Sequence, residues 1–568
     1  MSVSSLPFLH GALAAVLPKL AAWRRDFHAH PEAGWTEFRT AALIIRRLRE
    51  LGYAIRMGEA ACASDRRMGV PSSAVLAAAR ERALEHGADA ELVAGMGDGY
   101  TGFWADLDCG PGPVTAFRFD MDCNEVAECA EESHRPVREG FASRWPGLMH
   151  ACGHDGHAAV GLGLAEVLVS IRRHLRGRIR LIFQPAEEGA RGALPMSEAG
   201  AVDGVDVLFG FHIGFKAEGP GSLICGTQGF LATTKRDVLF SGVPAHAGAA
   251  PEEGKDALLA ACSAVVNLHA ISRNGKGGTR IAVGRLEGGE ARNVIPASAR
   301  LFMETRGETT AYMTAESERI LRASADLWGC ACEWRTVGNS AGGGSSPELA
   351  RLIATVAEAM GGWKTVIPMS GFGATEDFAC LMSRVQASGG LASYLQVGTD
   401  RAAGHHSDRF DFDETCLGRA LELLARLAVR MAGGGQEDTE TETESDMEFL
   451  DEVVRRKGIH VQLWLEGEDG EGFGRGRVEL LQLVDELGSL SKAAKQLGMS
   501  YRGAWGKIKK AERIAGETLV DASGTKRDGY SLTPAGRELV QRFQQWYADV
   551  ESFAKKRAEA LFSDFDKE

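Results

Sequence analysis

A short window of the sequence, Leu148–Val160, contains three histidines, one cysteine and one aspartate in the run LMHACGHDGHAAV. Imidazole, thiolate and carboxylate groups bind zinc, manganese and related divalent ions in proteins. The chemistry available to such a window is either closed structural coordination of zinc or the open coordination of a catalytic metal. The choice between them depends on the ligands that the rest of the chain supplies.

Three other stretches offer ligands of the same kinds, each after a strand-like or glycine-rich run: FQPAEEG at 183–189, FHIG at 211–214 and AGHHSDRFDFDE at 403–414. A lone histidine is more often an ordinary core or surface residue, but four such clusters favour a metal site. One useful cysteine among several histidines and carboxylates does not suit a structural zinc site. The set suits an open catalytic site, which could hold two metals about 3.5–4 Å apart that share a ligand, orient a water and polarise a carbonyl.

Two adjacent acids, Glu187 and Glu188, suit a division of labour at such a site. One can coordinate metal, while the other accepts a proton from water and later passes it to a leaving amine. Adjacent acids also occur at the solvated start of a helix. Here they follow the apolar run RIRLIF at 178–183, so we expect them to emerge from a buried strand.

The elements that position these residues are predicted to form an α/β sheet with helices on both faces. VTAFRFDMD at 114–122 and GRIRLIFQPAEEG at 177–189 are typical of buried strands that end in polar clusters. VGLGLAEVLVSIRRHL at 160–175 has the apolar periodicity of a helix. Since ligands of α/β sheets bind at the carboxyl ends of the strands, the polar clusters fall where a site is expected.

The pattern changes between about Gly226 and Gly338, where strand-like runs and two helical stretches predict a smaller α+β domain. We therefore expect a multidomain α/β protein whose catalytic domain, 1–225 and 339–432, is interrupted by an inserted domain at 226–338. Residues 433–448 are acidic and threonine-rich and predict a flexible linker. A second unit is expected at 449–568.

Seven motifs in the first unit resemble the amidohydrolase branch of the dinuclear metallopeptidases, over about residues 20–430. This family includes aminoacylases, hippurate hydrolases and indole-acetyl-amino-acid hydrolases. Within it, RMGVP, SHRPVREGFAS and FLATTK are most similar to the A-subunit group of the aminobenzoyl-glutamate hydrolases. The family motifs are RRDFHAHPEAGWTEFRT, FRFDMD, MHACGHDGH, FQPAEEG, PAHAGAAPEEGKDAL, RNVIPASA and HHSDRFDFDE.

The resemblance implies a site with two divalent ions, Mn²⁺ or Zn²⁺, and Glu187 as the general base. Cys152 would be shared by both ions. His406 fits the last ligand position best, because it lies four residues before Phe410, and His405 is the alternative. The implied ligands are Cys152, His154, Glu188, His212 and His406.

The resemblance also implies that His246, in PAHAGA, stabilises the oxyanion, commonly from the partner subunit of a dimer formed by the inserted (lid) domain. Asn293 and Arg306 match positions near the substrate carboxylate, and Asp120 and Asp122 match positions that support the site. The implied substrate is an N-acyl amino acid, most specifically p-aminobenzoyl-glutamate, a folate breakdown product. We expect a homodimer; because some relatives work with a second homologous hydrolase subunit, such a partner is an alternative.

The second unit carries the pattern of a helix-turn-helix followed by a wing. SLSKAAKQLGMSYRGAWGKIKKAE at 489–512 is rich in lysine and arginine, in a chain of net charge −13. The basic run is either an ordinary solvated helix face or a surface for double-stranded DNA, and its coincidence with the motif favours DNA. Trp505 either contacts the DNA as well or belongs to the hydrophobic core of this unit. The predicted contacts are Ser500, Tyr501, Arg502, Lys507, Lys509, Lys510 and, at the tip of the wing, Lys526 and Arg527.

This part, about residues 461–560, resembles the winged-helix domain of the molybdate-responsive regulators, which are related to LysR-type domains. The resemblance implies that a recognition helix at about Tyr501–Ile514 enters the major groove. The last helical stretch, GRELVQRFQQWYADVESFAKKRAEALF, suits dimerisation. No molybdate-binding domain follows, so we do not carry oxyanion sensing over to this chain.

The overall composition sets the remaining expectations. Eleven cysteines without regular spacing are not a disulfide framework and, with no signal-peptide pattern, favour the cytoplasm. The sequence has no apolar run of the ~18 residues that predict a transmembrane helix. Two functions are weighed: a metallo-amidohydrolase with an appended DNA-binding domain, and a transcriptional regulator that uses the hydrolase-like half as a ligand sensor. The complete ligand set and the general base favour the enzyme; a gene fusion without functional coupling is a third possibility.

Overall fold

The computed structural model describes residues 6–272, 278–308, 310–432, 463–466, 472–497, 501–521 and 530–562. The chain divides into two compact units, Met1–Val454 and Arg455–Glu568. The linker predicted at 433–448 lies outside the described ranges, as do the predicted DNA contacts Ser500, Lys526 and Arg527.

The body of the first unit is built on an eight-stranded sheet. Its strands are β1 (Ala54–Met57), β2 (Phe103–Asp108), β3 (Val114–Asp120), β4 (Arg178–Gln184), β5 (Val207–Glu218), β6 (Ser222–Ile224), β13 (Thr365–Ile367) and β15 (Leu391–Thr399). They lie in the order β1-β2-β4-β3-β5-β15-β6-β13. The middle of the sheet, β4-β3-β5-β15, is parallel, whereas β1, β2 and the β15–β6 pair are antiparallel. The predicted α/β class is confirmed, with a mixed sheet.

Helices cover both faces of this sheet because its strands alternate two sets of apolar side chains. Phe117 and Phe119 face one core, while Ala116 and Ile182 face the other. Gly161 lets a helix approach closely, since a Cβ there would lie 2.7 Å from the Phe119 ring. The helices are α1 (Pro7–Ala29), α2 (Phe38–Glu50), α3 (Ser73–Glu85), α4 (Ala90–Gly95), α5 (Arg135–Arg138), α6 (His154–Ser170), α7 (Ala193–Glu198), α10 (Pro347–Met360), α11 (Phe378–Ala387) and α12 (Thr415–Ala432).

The inserted region forms a separate antiparallel sheet with two helices on one face. Its strands, β8 (Ala232–Ser241), β9 (Thr279–Gly288), β10 (Ser298–Gly307) and β11 (Ala331–Ser340), lie in the order β11-β8-β10-β9. Helices α8 (Ala257–His269) and α9 (Ala311–Leu327) bury Val238 and Phe240 of β8. A small sheet of β7 (Thr227–Phe230), β12 (Gly343–Gly344) and β14 (Ser370–Gly371) lies where the chain enters and leaves this region.

The second unit has a small core formed by its helices and by an antiparallel pair of short strands. Ser489 begins the helix Leu490–Gln496 by accepting a hydrogen bond from the backbone of Lys492. Its elements are β16 (Trp464–Glu466), β17 (Gly472–Gly474), α13 (Arg475–Leu487), α14 (Leu490–Gln496), α15 (Tyr501–Ala515), β18 (Val520–Asp521), β19 (Ser531–Leu532) and α16 (Pro534–Phe562). Helices α14 and α15 thus lie where the sequence predicts the two helices of a helix-turn-helix. None of the helices described in either unit is long and apolar enough to cross a membrane.

Candidate active site and DNA-binding surface

The predicted ligands meet at the carboxyl ends of the parallel strands. Cys152 and His154 stand at the start of α6, where Gly153 takes a left-handed φ of +91° that turns the chain into the helix. Glu188 follows β4, His212 lies in β5, and His406 follows β15. The strand order therefore gathers residues that are up to about 250 positions apart in the sequence.

Cys152 belongs to two overlapping groups of possible metal ligands. One group is Cys152, His154 and His212, and the other is Cys152, Glu188 and His406; in each, the ligand atoms lie within 4.8 Å of one another. The Cys152 sulfur is 3.5 Å from Nε2 of His212, and Glu188 Oε1 is 3.3 Å from Nε2 of His406. A thiolate at this position reaches both groups.

Backbone carbonyls fix the orientation of the two histidine rings in the first group. Nδ1 of His154 donates to the Asp122 carbonyl at 2.8 Å, and Nδ1 of His212 donates to the Ile213 carbonyl at 2.8 Å. In both rings Nε2 is then the nitrogen that remains for a metal, the arrangement that metal-binding imidazoles need. Nε2 of His154 is buried and has no hydrogen-bond partner among the residues that the structure describes. A divalent ion fits this set of donor atoms.

The other two histidines of the window are engaged differently from His154, although His157 forms a further group of possible ligands with Asp120 and His154. Nε2 of His157 accepts from the Ile213 backbone at 3.0 Å, and its Nδ1 donates to Asp120. Both of its nitrogens are therefore occupied, and the ring holds β5 against α6. His150 is buried, which lowers the pKa of its ring to about 3, and it belongs to none of the groups of possible ligands found among the described residues.

Only one member of the His405–His406 pair is free to bind a metal. His405 donates through Nε2 to the Ile213 carbonyl at 3.1 Å and accepts through Nδ1 from Arg401 at 2.8 Å. His406 has a left-handed φ of +65° that turns its ring towards Glu188. The geometry thus favours His406 over its neighbour.

The loop that carries Glu187 and Glu188 is held by buried carboxylates that accept from its backbone. Asp122 accepts from the N–H of Glu187 at 3.0 Å and from that of Glu188 at 2.9 Å. Glu37 accepts from Ala186 at 2.8 Å. Asp377 accepts from the start of the next helix, α7. Asp122 was expected to support the site, whereas the sequence analysis missed Glu37 and Asp377.

A buried ionic network lies behind the base. Arg118 contacts Asp120 at 2.5 Å and Glu376 at 3.0 Å, and Glu376 accepts a 2.6 Å hydrogen bond from Tyr394. Glu376 and Asp377 also lie beside Glu187. Burial, followed by the charges of these acids and of Glu188, raises the pKa of Glu187 well above its usual value. A raised pKa makes a carboxylate a stronger proton acceptor. In the sequence, the only hint of Glu376 and Asp377 is that they are adjacent acids in ATEDF, which follows a glycine-rich run.

His246 and Asn293 lie on neighbouring exposed loops of the inserted domain, joined by a backbone pairing of His246 with Val294. Nδ1 of His246 accepts from the backbone of Gly248 and Ala249 at 3.2 and 3.0 Å, so its proton resides on Nε2. This leaves a donor facing outward. In the described part of the chain, neither residue has a hydrogen bond or ion pair with the five predicted ligands.

Arg306 lies on β10, and its guanidinium group pairs with Glu304 at 2.8 Å. It is half-buried and belongs to the sheet of the inserted domain rather than to the catalytic body. The structure therefore does not bring Arg306 into contact with the predicted metal ligands, as far as the described ion pairs extend.

The predicted recognition helix is α15 of the second unit. Tyr501 is exposed at its start and shares a 2.9 Å hydrogen bond with Tyr530, beside the wing. Lys507 is exposed, while Lys509 pairs with Glu512 at 2.7 Å and lies over the Trp505 ring. Trp505 is half-buried against the core of the unit. Of the remaining predicted contacts, Lys510 lies on the same helix, as does the backbone of Arg502.

Curated relatives resemble the first unit over nearly their whole length. Indole-3-acetyl-aspartic acid hydrolase of Enterobacter agglomerans is 44% identical over 75% of this chain and 98% of its own. The A-subunit of the p-aminobenzoyl-glutamate hydrolase of Escherichia coli K12 is 46% identical over 73% of this chain and 96% of its own.

Two solved structures are similar to this chain over about the same share of its length as these relatives. The aminobenzoyl-glutamate utilization protein of Klebsiella pneumoniae has 39% identity and a TM-score of 0.63, over 74% of this chain and 98% of its own. YXEP of Bacillus subtilis, a dinuclear metal-binding peptidase from the M20 family, has 25% identity and a TM-score of 0.50, over 73% of this chain and 98% of its own.

Two protein families match this chain, one in each unit. The bacterial regulatory helix-turn-helix protein, lysR family, matches residues 476–537, which span the three helices and wing of the second unit. Peptidase family M20/M25/M40 matches residues 116–430, which include all five predicted ligands and Glu187. The chain belongs to peptidase family M20/M25/M40, as a metal-dependent amidohydrolase that also carries a LysR-type helix-turn-helix domain.

Proposed function

We propose that the first unit hydrolyses N-acyl derivatives of acidic amino acids, with p-aminobenzoyl-glutamate as substrate and p-aminobenzoate and glutamate as products. The observation that carries the proposal is the placement of Glu187 beside two groups of possible ligands that share Cys152. The relatives named above add the substrate class, because their names join an aromatic acyl group to aspartate or glutamate.

Two divalent ions, Mn²⁺ or Zn²⁺, fit the site, since sulfur, nitrogen and oxygen donors together do not select one metal. Such ions, when bound, polarise a carbonyl and lower the pKa of water. The residues that would hold them are Cys152, His154, Glu188, His212 and His406, with Cys152 common to both groups.

Glu187 moves the proton in this proposal. Its carboxylate accepts a proton from the attacking water, whose oxygen bonds to the amide carbon. The C–N bond then breaks, and Glu187 returns the proton to the departing amine nitrogen. The raised pKa of Glu187, caused by burial and by neighbouring acids, suits a group that must both accept and release a proton.

His246 donates a hydrogen bond to the developing oxyanion through Nε2. Its ring is exposed and its Nδ1 is occupied by backbone donors, so the free donor is available to a second molecule. We therefore include a homodimer in the proposal, in which His246 of the partner subunit completes each site. A homologous second hydrolase subunit is the alternative partner. In a mixture of Glu187→Ala and His246→Ala chains, mixed dimers with one intact site should recover activity; failure of dimers to recover it would contradict this arrangement.

The second unit is proposed to bind double-stranded DNA through α15 and the wing, in the cytoplasm. The eleven cysteines, all within the described ranges, form no disulfide, which suits a reducing compartment. The alternative function, a regulator that uses the hydrolase half only as a sensor, requires no general base. Tight specific duplex binding by a chain that hydrolyses nothing would favour it.

The direct test is release of p-aminobenzoate from p-aminobenzoyl-glutamate by metal-loaded protein, full-length and truncated after about Gly435. We expect both forms to be active and Glu187→Ala to keep its metal while losing about 10²–10⁴-fold in kcat. Glu85→Ala, which removes an exposed carboxylate on α3, is the matched control. A metal-loaded chain that cleaves no N-acyl amino acid, or near wild-type turnover by Glu187→Ala, would contradict the proposal.

A further inference from the structure

The inserted sheet has two faces, and Lys235 lies on the face away from its helices. Along β8, Val238 and Phe240 are buried under α8 and α9, and Arg236 pairs with Glu318 of α9. Side chains of a strand alternate between the two faces. Lys235 therefore points to the opposite side, which is not covered by α8 or α9.

On that side, Lys235 lies next to the loop that carries the general base. Lys235 is paired in register with Gly338 of β11, and Asn339 donates from its backbone to Ala190 of the loop at 2.8 Å. A Cβ placed on Gly338 would lie 2.2 Å from the Gly189 carbonyl oxygen and 3.2 Å from Cδ of Lys235. The absence of a side chain at Gly338 lets the stem of Lys235 pass close to the loop.

The loop that Lys235 meets is the one that holds the base and a predicted ligand. Gly189 follows Glu188 directly, and Ala190, whose carbonyl accepts from Asn339, is the next residue. Contact through Gly338 thus places the stem of Lys235 beside the segment that carries Glu187 and Glu188.

Lys235 is half-buried and has no ion pair among the described residues. Glu304 is its register partner on β10, but both oxygens of that carboxylate are bound by Arg306, at 2.8 and 3.0 Å. Asp237, on the same face, pairs with Arg335 at 2.8 Å. A partly desolvated ammonium with no anion is unfavourable, and a carboxylate that arrives with a ligand would relieve this cost.

We propose that Lys235 binds the side-chain carboxylate of the amino-acid half of the substrate and selects N-acyl-glutamate or N-acyl-aspartate over neutral N-acyl amino acids. The inference rests on the proposed function, because it concerns the specificity of the same site. An N-acylated acidic amino acid carries two carboxylates. Arg306 lies on the same face two register positions from Lys235, but its Nε and Nη2 are bound to Glu304, which leaves Lys235 as the cation offered to the side-chain carboxylate.

The test compares p-aminobenzoyl-glutamate with p-aminobenzoyl-glutamine, which has the same shape without the second charge. In the metal-loaded full chain, Lys235→Met should lower kcat/KM for the glutamate compound about 100-fold, as expected when a site loses its partner for a substrate charge. Its kcat/KM for the glutamine compound should stay at the wild-type value, which also shows that the variant is folded and metal-loaded.

Two further variants sharpen the result. Lys235→Arg keeps the positive charge and should retain most of the preference for glutamate. Lys364→Met removes an exposed ammonium from the catalytic body and should leave both substrates unaffected. Equal losses on both compounds in Lys235→Met would assign Lys235 a structural role and overturn the inference, and so would an unchanged preference for glutamate. A wild-type chain that cleaves neither compound contradicts instead the proposed function.

Discussion

Glu37 accepts a 2.8 Å hydrogen bond from the backbone N–H of Ala186, the residue immediately before the general base. Ala186 has a left-handed φ of +50°, which an alanine rarely adopts. The other oxygen of Glu37 accepts from the Thr101 hydroxyl at 2.6 Å. The N-terminal motif of the chain, HPEAGWTEFRT, therefore shapes the turn that aims Glu187.

Removal of the Glu37 side chain should impair catalysis without removing metal. In Glu37→Ala the buried N–H of Ala186 loses its acceptor, a loss of about 1–3 kcal/mol that allows the loop to shift. Because a small misplacement of a reacting group costs about 100-fold in rate, we expect kcat to fall by about 10–100-fold with KM little changed. Separate measurement of kcat, KM and bound metal checks this, with Glu50→Ala on the exposed end of α2 as the control. A change confined to KM would be evidence against the role.

Loss of Cys152, which belongs to both groups of ligands, should change the metal content differently from loss of a ligand that belongs to one group. Cys152 is common to both groups, so Cys152→Ser should lower the content of both ions, whereas His406→Ala should affect only the group with Glu188. His405→Ala should retain metal, because both of its nitrogens are engaged elsewhere. Elemental analysis after dialysis measures the stoichiometry. Cys262→Ser on α8 is the thiol control, and unchanged metal in Cys152→Ser would remove it from the ligand set.

The pKa of Glu37 predicts a dependence of stability on pH in the metal-free chain. Burial, and then the charge of Asp122, raises the pKa of Glu37 to about 8 from an ordinary 4.5. Between these values the folded chain holds a proton that the unfolded chain has lost, so a rise in pH lowers the free energy of unfolding.

Glu37→Gln cannot ionise and should lack this contribution. Compared with the wild type, the variant should therefore gain stability as the pH is raised from 5 to 8, whatever constant difference the new amide introduces. Urea unfolding of both proteins at several pH values measures the slope of the difference. A slope of zero or of the opposite sign would show that Glu37 is ionised throughout this range.

The sequence predicts the metal ligands better than it predicts the residues that hold the loop of the base in position. Cys152, Glu188 and His212 lie in short motifs made of residue types that bind metals, so the sequence alone indicates their chemistry. The order of the strands in the sheet then brings these motifs together. Glu37 and Asp377 act instead by accepting hydrogen bonds from backbone N–H groups that are about 150 and 185 residues away. The residues next to them in the sequence do not indicate which N–H group each carboxylate binds. Their roles depend on the fold of the loop at 185–193, which a motif does not specify.

The position of a side chain within a sheet is equally hard to infer from sequence. The mixed order of the central sheet arises because β1 and β2 add antiparallel strands at one edge, and periodicity carries no information about strand direction. Lys235 shows the same limit. Its neighbours Gly338 and Glu304 are known only from the register of β8 with β11 and β10.

DNA binding by the second unit should fall steeply as salt increases, because lysines on α15 would displace counterions from phosphates. Lys507 is exposed on this helix, whereas Lys509 is already paired with Glu512. We therefore expect Lys507→Ala to weaken binding to all duplexes and to reduce the slope of log K against log salt by about one, with a smaller effect for Lys509→Ala. Fluorescence anisotropy over a range of salt concentrations measures both, with Lys364→Ala in the first unit as the control. Duplex affinity that does not depend on salt would mean that the helix does not contact the DNA backbone.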